Sequence, residues 1–131
     1  MLIITGTIAS LLALYFFKLT VNVIKLRQSL KVSLGTGGHE SLDRAIRAHG
    51  NFSEYVPLAL ILMACLELNH APSVPIWIFG FVLILSRVLH AVGISSATGK
   101  VPKRVTAMVM TFCTLLGLAL FNLGWLLRSV L

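Results

Sequence analysis

The chain has 131 residues, of which 57% are hydrophobic and 11% are charged, and its mean hydropathy is +0.94. Because a soluble domain carries roughly 25% charged residues, this composition excludes an ordinary soluble protein and indicates a membrane protein. The formal net charge of +7 does not indicate nucleic acid binding, since the basic residues flank apolar segments and are better explained as determinants of membrane topology.

The first predicted membrane span covers about residues 3–24. Lys18 lies close enough to its end for the ammonium group to reach the membrane interface. The segment has neither a basic leader nor a small-residue cleavage site, so we expect it to be retained as a span. A basic segment with Lys25 and Arg27 follows, and then a turn at Gly35–Gly38.

The second predicted span covers about residues 42–69 and begins with polar residues. Ser41 is a plausible N-cap for this helix, and Asp43 favours the positive end of the helix dipole. Pro57 lies inside the span and is expected to kink or loosen the helix.

The third predicted span covers about residues 76–94 and carries Arg87 and His90 on one helix face. A loop of small residues is expected over 93–99, and the fourth span covers about residues 105–127. Each span is long enough to cross a bilayer, which takes roughly 20 residues.

The charges of the loops predict the topology. The first and third loops are rich in lysine and arginine, whereas the second loop has neither. By the positive-inside rule, the first and third loops are cytoplasmic and both termini lie outside. Residues 1–131 are therefore predicted to form one all-α, integral membrane four-helix bundle. A compact chain without organelle or retention signals suggests a bacterial inner membrane.

Four polar side chains recur at helical spacing where the second span begins. They are Arg44, Arg47, Asn51 and Glu54. At about 100° per residue they fall within an arc of roughly 80°. Two cations, an amide and a carboxylate suit a zwitterionic ligand that bears a carboxylate. An ion network that only fixes helix packing explains the spacing as well, but the convergence with polar residues of the third and fourth spans at the cytoplasmic end favours a binding site. His49 faces the opposite side and is expected to be structural.

The two cysteines do not indicate a metal site. Cys65 and Cys113 each lie within an apolar segment, without a CxxC pattern or suitably spaced histidines. We therefore expect no metal and interpret both as small apolar packing residues.

The second span contains a spaced motif that reads Arg44-x-x-Arg47-Ala48-x-x-Asn51-x-x-Glu54-x-x-Pro57. This motif resembles the signature of the membrane-associated proteins in eicosanoid and glutathione metabolism. That family includes the microsomal glutathione transferases, prostaglandin E synthase, leukotriene C4 synthase and the 5-lipoxygenase-activating protein. The resemblance extends over nearly the whole chain, through Arg87-x-x-His90 on the third span and Pro102-x-Arg104 at the start of the fourth.

The resemblance implies a homotrimer that binds glutathione between subunits at the cytoplasmic side. The residues that match ligand contacts of the family are Arg47, Asn51, Glu54, Tyr55 and His90, with Lys25 or Arg27 reaching in from a neighbouring subunit. Arg44 and Arg87 match arginines of an interior ion network.

Arg104 matches the arginine that stabilises the glutathione thiolate in the catalytic members, although Lys103 or Lys100 could hold that place. A nearby guanidinium lowers the pKa of a thiol from its usual value of about 8.5, so that more nucleophile exists at neutral pH. The thiolate would then attack a lipid-soluble electrophile. Four positions depart from the catalytic members, where an arginine or hydroxyl-bearing residues are usual. They are Gly50, Ile94, Val105 and Met108.

Three functions are compatible with these residues. The first is a glutathione S-transferase, or a related peroxidase, that acts on hydrophobic electrophiles. The second is a non-catalytic lipid-binding or scaffold protein of the same family, which the departures favour. The third, a small transporter, is disfavoured because ion coupling requires an acid within the membrane and only Glu54 is suitably placed. The second substrate leaves no trace in the sequence.

Overall fold

The chain forms four α-helices in the computed structural model, which describes residues 1–95 and 101–130. They are α1 (Ile3–Leu30), α2 (Glu40–Leu68), α3 (Ser73–Ser95) and α4 (Val101–Val130). Within these ranges, all four helices are long and apolar enough to cross a membrane. The prediction of an all-α protein with four helices able to span a membrane is therefore confirmed.

The helices extend beyond the predicted spans. α1 continues past Ile24 to Leu30, and α2 begins at Glu40, with His39 in the N-cap position and no side-chain capping bond. The prediction of Ser41 as the N-cap is therefore wrong, because the acidic Glu40 and Asp43 already occupy the first turn, where they favour the positive helix end.

The end of α3 also differs from the prediction. The helix continues through Gly93 to Ser95, so the expected loop does not begin at Gly93, and the rest of that loop, 96–100, lies outside the described residues. Pro57 lies inside α2, which continues to Leu68. A kink at this proline stays a prediction.

The helices α2 and α3 are central to the bundle, because each of them packs against all three other helices. Close approach to α1 is possible at Gly80, where a Cβ atom would lie only 2.7 Å from the Ile8 side chain. Such small residues allow helices to approach closely in a membrane. Fully buried apolar side chains fill the interior, among them Ile8, Leu12, Met63, Ile76, Leu83 and Leu118.

Polar contacts connect the helix ends that lie beside the chain termini. The Glu67 carboxylate accepts hydrogen bonds from the backbone N–H groups of Ile4 and Thr5, each at 2.8 Å. It thereby satisfies donors at the start of α1 that have no partner within the helix. Trp125 Nε1 donates to the Asn69 carbonyl oxygen at 2.9 Å. These contacts place the end of α2 and the end of α4 beside the start of α1. The opposite end of the bundle therefore holds the start of α2, the end of α3 and the start of α4.

Candidate functional site

A cleft of about 490 Å³ lies where α2, α3 and α4 meet at that opposite end. This volume is within the range of roughly 300–1,000 Å³ that is typical of small-molecule sites. The cleft is lined by Ile46, Arg47, Gly50, Asn51 and Glu54 of α2, His90 and Ile94 of α3, and Arg104 and Met108 of α4.

The α2 side of the cleft follows from helical spacing. Arg47, Asn51 and Glu54 recur at intervals of four and three residues, which places them on one face, and all three line the cleft. Arg44, which was predicted on the same stripe, does not line it. Its Nη1 atom instead forms an ion pair with Oε2 of the exposed Glu40 at 2.9 Å.

A buried arginine lies behind the α2 side of the cleft. Arg87 is 1% exposed, and its Nη1 atom donates to Asn51 Oδ1 at 2.7 Å. Its Nη2 atom donates to the Thr111 hydroxyl. Arg87 is interior, as expected, but these two partners are neutral, so the predicted ion network of Arg44 and Arg87 is not found among the described residues. Sequence reasoning missed Thr111, for which the only signal was a hydroxyl within an apolar span.

The third and fourth helices are in direct contact beside the cleft. A Cβ atom at Gly93 would lie 3.1 Å from the backbone nitrogen of Arg104, so α4 begins against α3 with no side chain between them. This contact brings Arg104 to the same cleft as His90, which is 4% exposed. The prediction placed Gly93 in a loop and therefore missed this contact.

Tyr55 is not among the residues that line the cleft. Its ring meets Phe112 edge-on at 5.6 Å between centroids, and the Arg87 guanidinium carbon lies 5.8 Å from its centroid. This cation–π geometry places Tyr55 beside the buried arginine. Contact between Tyr55 and a ligand stays a prediction.

Lys25 and Arg27 lie apart from the cleft within a single chain. Lys25 lines a separate groove of about 720 Å³ between α1 and α3. Arg27 Nη1 donates to the carbonyl oxygens of Val32, Ser33 and Gly35 at 3.4, 3.3 and 3.1 Å, which fixes the loop after α1. A contribution from a neighbouring subunit stays a prediction.

His49 connects α2 to α1. Its Nε2 atom is 3.1 Å from the Thr20 hydroxyl oxygen, and its ring stacks on Phe16 with centroids 4.5 Å apart. The predicted structural role of His49 is confirmed.

Of the four positions that depart from the catalytic members, Gly50, Ile94 and Met108 line the cleft, and Val105 does not.

The two cysteines lie on the surface of the helices. Cys65 and Cys113 are free and exposed on the single chain, so neither packs inside its own bundle, and their interpretation as small apolar packing residues stays a prediction. Within residues 1–95 and 101–130, no group of three or more histidine, cysteine, aspartate or glutamate side chains is placed to hold a metal ion.

Comparison with known proteins adds to this geometry. The chain matches the MAPEG family, the membrane-associated proteins in eicosanoid and glutathione metabolism, over residues 5–124. The Inner membrane protein YecN of Escherichia coli K12 is 36% identical over 123 residues, which cover 94% of this chain and 92% of that protein. The protein of the same name from E. coli O6:H1 gives the same values. The name states a location and no activity. With the four spans, it agrees with the predicted multi-pass inner-membrane location.

Proposed function

The chain belongs to the MAPEG family of membrane proteins, and we propose that it binds glutathione and acts as a glutathione S-transferase on hydrophobic electrophiles. The family includes glutathione transferases. The main support for the proposal is the cleft, in which Arg47, Asn51 and Glu54 from one helix share a lining with His90 and Arg104 from two others.

The chemistry of the lining matches that of glutathione, which has two carboxylates, an ammonium group and a thiol. The Arg47 guanidinium is suited to bidentate contact with a carboxylate. The Glu54 carboxylate complements the ammonium group, and the Asn51 amide can contact a carboxylate or a peptide group. The ligand thus pairs with charges that would otherwise be costly beside hydrocarbon.

Arg104 supplies the catalytic part of the proposal. Its guanidinium favours the thiolate over the thiol of glutathione, whose proton passes to solvent. The thiolate sulfur then attacks an electrophilic carbon. A carbon–sulfur bond forms, and the leaving group departs with the bonding electron pair. Apolar side chains exposed on α4 near the cleft, such as Val105 and Val109, offer a path for a substrate dissolved in the bilayer.

A homotrimer is part of this proposal. Lys25 or Arg27 of a neighbouring subunit would complete the cleft, because neither residue reaches the cleft of its own chain. Native mass spectrometry of the protein released from detergent tests this directly. We expect a trimer, and a monomer that binds glutathione with full affinity would contradict a shared site.

A second candidate function is non-catalytic lipid binding. It is favoured by Gly50, Ile94 and Met108, which line the cleft without a hydroxyl or a cation. In this case the purified protein would bind lipid saturably and would not bind glutathione.

The transferase proposal is tested with Arg104→Ala. We expect loss of the thiolate absorbance and a roughly 100- to 1,000-fold lower conjugation rate, as is typical when one stabilising donor is removed. Glutathione affinity should change much less. Arg104→Lys is the matched control, since it keeps the charge and should retain part of the thiolate signal. An unchanged thiolate signal in Arg104→Ala would exclude the assigned role.

A further inference from the structure

Arg87 is a buried cation without a carboxylate partner among the residues that the structure describes. It is 1% exposed, and its two terminal nitrogens donate to Asn51 and Thr111. Its Nε atom has no hydrogen-bond partner. Buried charges are normally paired, because removing a charge from water is costly. Apart from the Tyr55 ring, only neutral hydrogen-bond acceptors face this charge among the described residues, so its position needs a reason.

The contact with Asn51 determines which end of the amide faces the cleft. A guanidinium can only donate hydrogen bonds, whereas an asparagine side chain has one accepting oxygen and one donating NH₂ group. Oδ1 is the atom that accepts from Arg87, at 2.7 Å. Since Asn51 also lines the cleft, Nδ2 is the group that it has left to offer a ligand.

The charge of the region favours an anion next to that donor. Arg47 and Arg104 line the cleft with a single acidic residue, Glu54, and Arg87 adds a further positive charge behind Asn51. Water and salt screen a charge in the interior much less than one at the surface. The field of Arg87 therefore acts on whatever group contacts Asn51.

We propose that Arg87 is a positioning residue, which fixes the Asn51 amide so that Nδ2 donates to a carboxylate of the bound ligand. The buried guanidinium strengthens this bond by its charge. The carboxylate chemistry follows from the residues above, whereas its assignment to glutathione rests on the proposed function.

The variant Asn51→Asp separates positioning from packing. An aspartate keeps the size of the side chain and can form an ion pair with Arg87, so the protein should remain folded with an unchanged or higher melting temperature. Its carboxylate offers only oxygen acceptors and repels an anion. We expect the Kd for glutathione to rise roughly 10- to 100-fold, as for loss of a hydrogen bond to a charged group. Wild-type affinity would overturn the proposal.

A pair of threonine variants provides a matched control. Thr111 accepts from Arg87, whereas the equally buried Thr114 donates to the Met110 carbonyl oxygen of its own helix at 2.8 Å. Thr111→Val should raise the Kd for glutathione a few-fold, while Thr114→Val should leave it unchanged. Two glutathione analogues identify the carboxylate: in one the glycyl carboxylate is replaced by a carboxamide, and in the other the γ-glutamyl carboxylate is. The increase in Kd caused by Thr111→Val should disappear for the analogue that lacks the carboxylate bound by Asn51, and remain for the other. An equal effect on both analogues would indicate a purely structural role and overturn the proposal.

The orientation of the amide can be tested without a ligand. The ¹³Cγ resonance of labelled Asn51 reports on the hydrogen bond that its oxygen accepts, and it should move upfield in Arg87→Lys, which keeps the charge but loses the planar fork. Failure of the wild-type protein to bind glutathione, together with this shift, would reject the proposed function and support the positioning. An unchanged resonance would overturn the positioning, whether or not glutathione binds.

Discussion

The two ends of the bundle use their polar side chains differently. At the end beside the termini, the Glu67 carboxylate is satisfied by two backbone N–H groups, and Trp125 donates to a free carbonyl oxygen. At the other end, Arg47, Glu54 and Arg104 share a cleft, yet the ion pair among the described residues joins Arg44 to Glu40 outside it. The Glu67 and Trp125 side chains are thus satisfied within the fold, whereas the charges at the other end face the cleft, where we propose that a ligand binds.

The contrast is informative because a membrane makes unsatisfied polar groups costly. The Glu67 contacts are explained by helix capping alone and need no ligand. The charged groups that line the cleft contact no opposite charge among residues 1–95 and 101–130, which is the arrangement that a binding site for a zwitterion requires. Substitutions at the two ends should therefore have separable effects on binding and on stability.

Among the variants that compare the two ends, the largest effect is expected for Glu54→Gln at the cleft end. The change removes the acidic group that we assign to the ammonium of glutathione, and the Kd should rise roughly 10- to 100-fold, as for loss of a charge-assisted bond. The melting temperature should change little, since Glu54 is exposed. Calorimetric titration in detergent measures the affinity, and an unchanged Kd would remove Glu54 from the site.

An intermediate effect is expected for the matched variant Glu67→Gln at the other end. A neutral amide caps the start of α1 less well, so the free energy of unfolding should fall by about 1 kcal/mol. Glutathione affinity should remain at the wild-type value, because the two sites lie at opposite ends of the helices. Thermal unfolding and titration of the same preparation check both statements, and weaker binding would show that the ends are coupled.

The smallest effect is expected for Gly93→Ala. The added methyl group would lie 3.1 Å from the Arg104 backbone nitrogen, so the start of α4 must move by a few tenths of an ångström. We expect a two- to five-fold lower conjugation rate, roughly, because catalytic groups must be held closely in place. Gly124→Ala is the control, since a Cβ atom there has no neighbour within 4 Å. Equal rates for the two variants would argue against a role for the Gly93 contact.

Much of this arrangement could be predicted from the sequence. Hydropathy located four spans because each crosses an apolar medium as one continuous helix. Helical spacing placed Arg47, Asn51 and Glu54 on one face because that face depends only on residues within two turns. The family resemblance added His90 and Arg104 to the same site, and the structure places all five residues around one cleft.

The remaining features depend on contacts between distant parts of the chain. The bond from Arg87 to Asn51 joins residues 36 positions apart, and the Glu67 cap joins residues 63 apart. Neither contact leaves a pattern among residues that are neighbours in the sequence. The start of α2 was misplaced at Ser41 because capping preference is a weak signal for the exact helix boundary. The end of α3 was misplaced at Gly93 because small size is a weak signal too, and this glycine packs against the start of α4.

The most direct test of the account is a titration of the purified wild-type protein with glutathione in detergent, followed by calorimetry and by ultraviolet difference absorbance. We predict saturable binding together with a thiolate signal. Saturable binding without thiolate would contradict the role of Arg104 and leave the binding site intact. The absence of binding to a folded protein would contradict the central claim that the cleft takes glutathione.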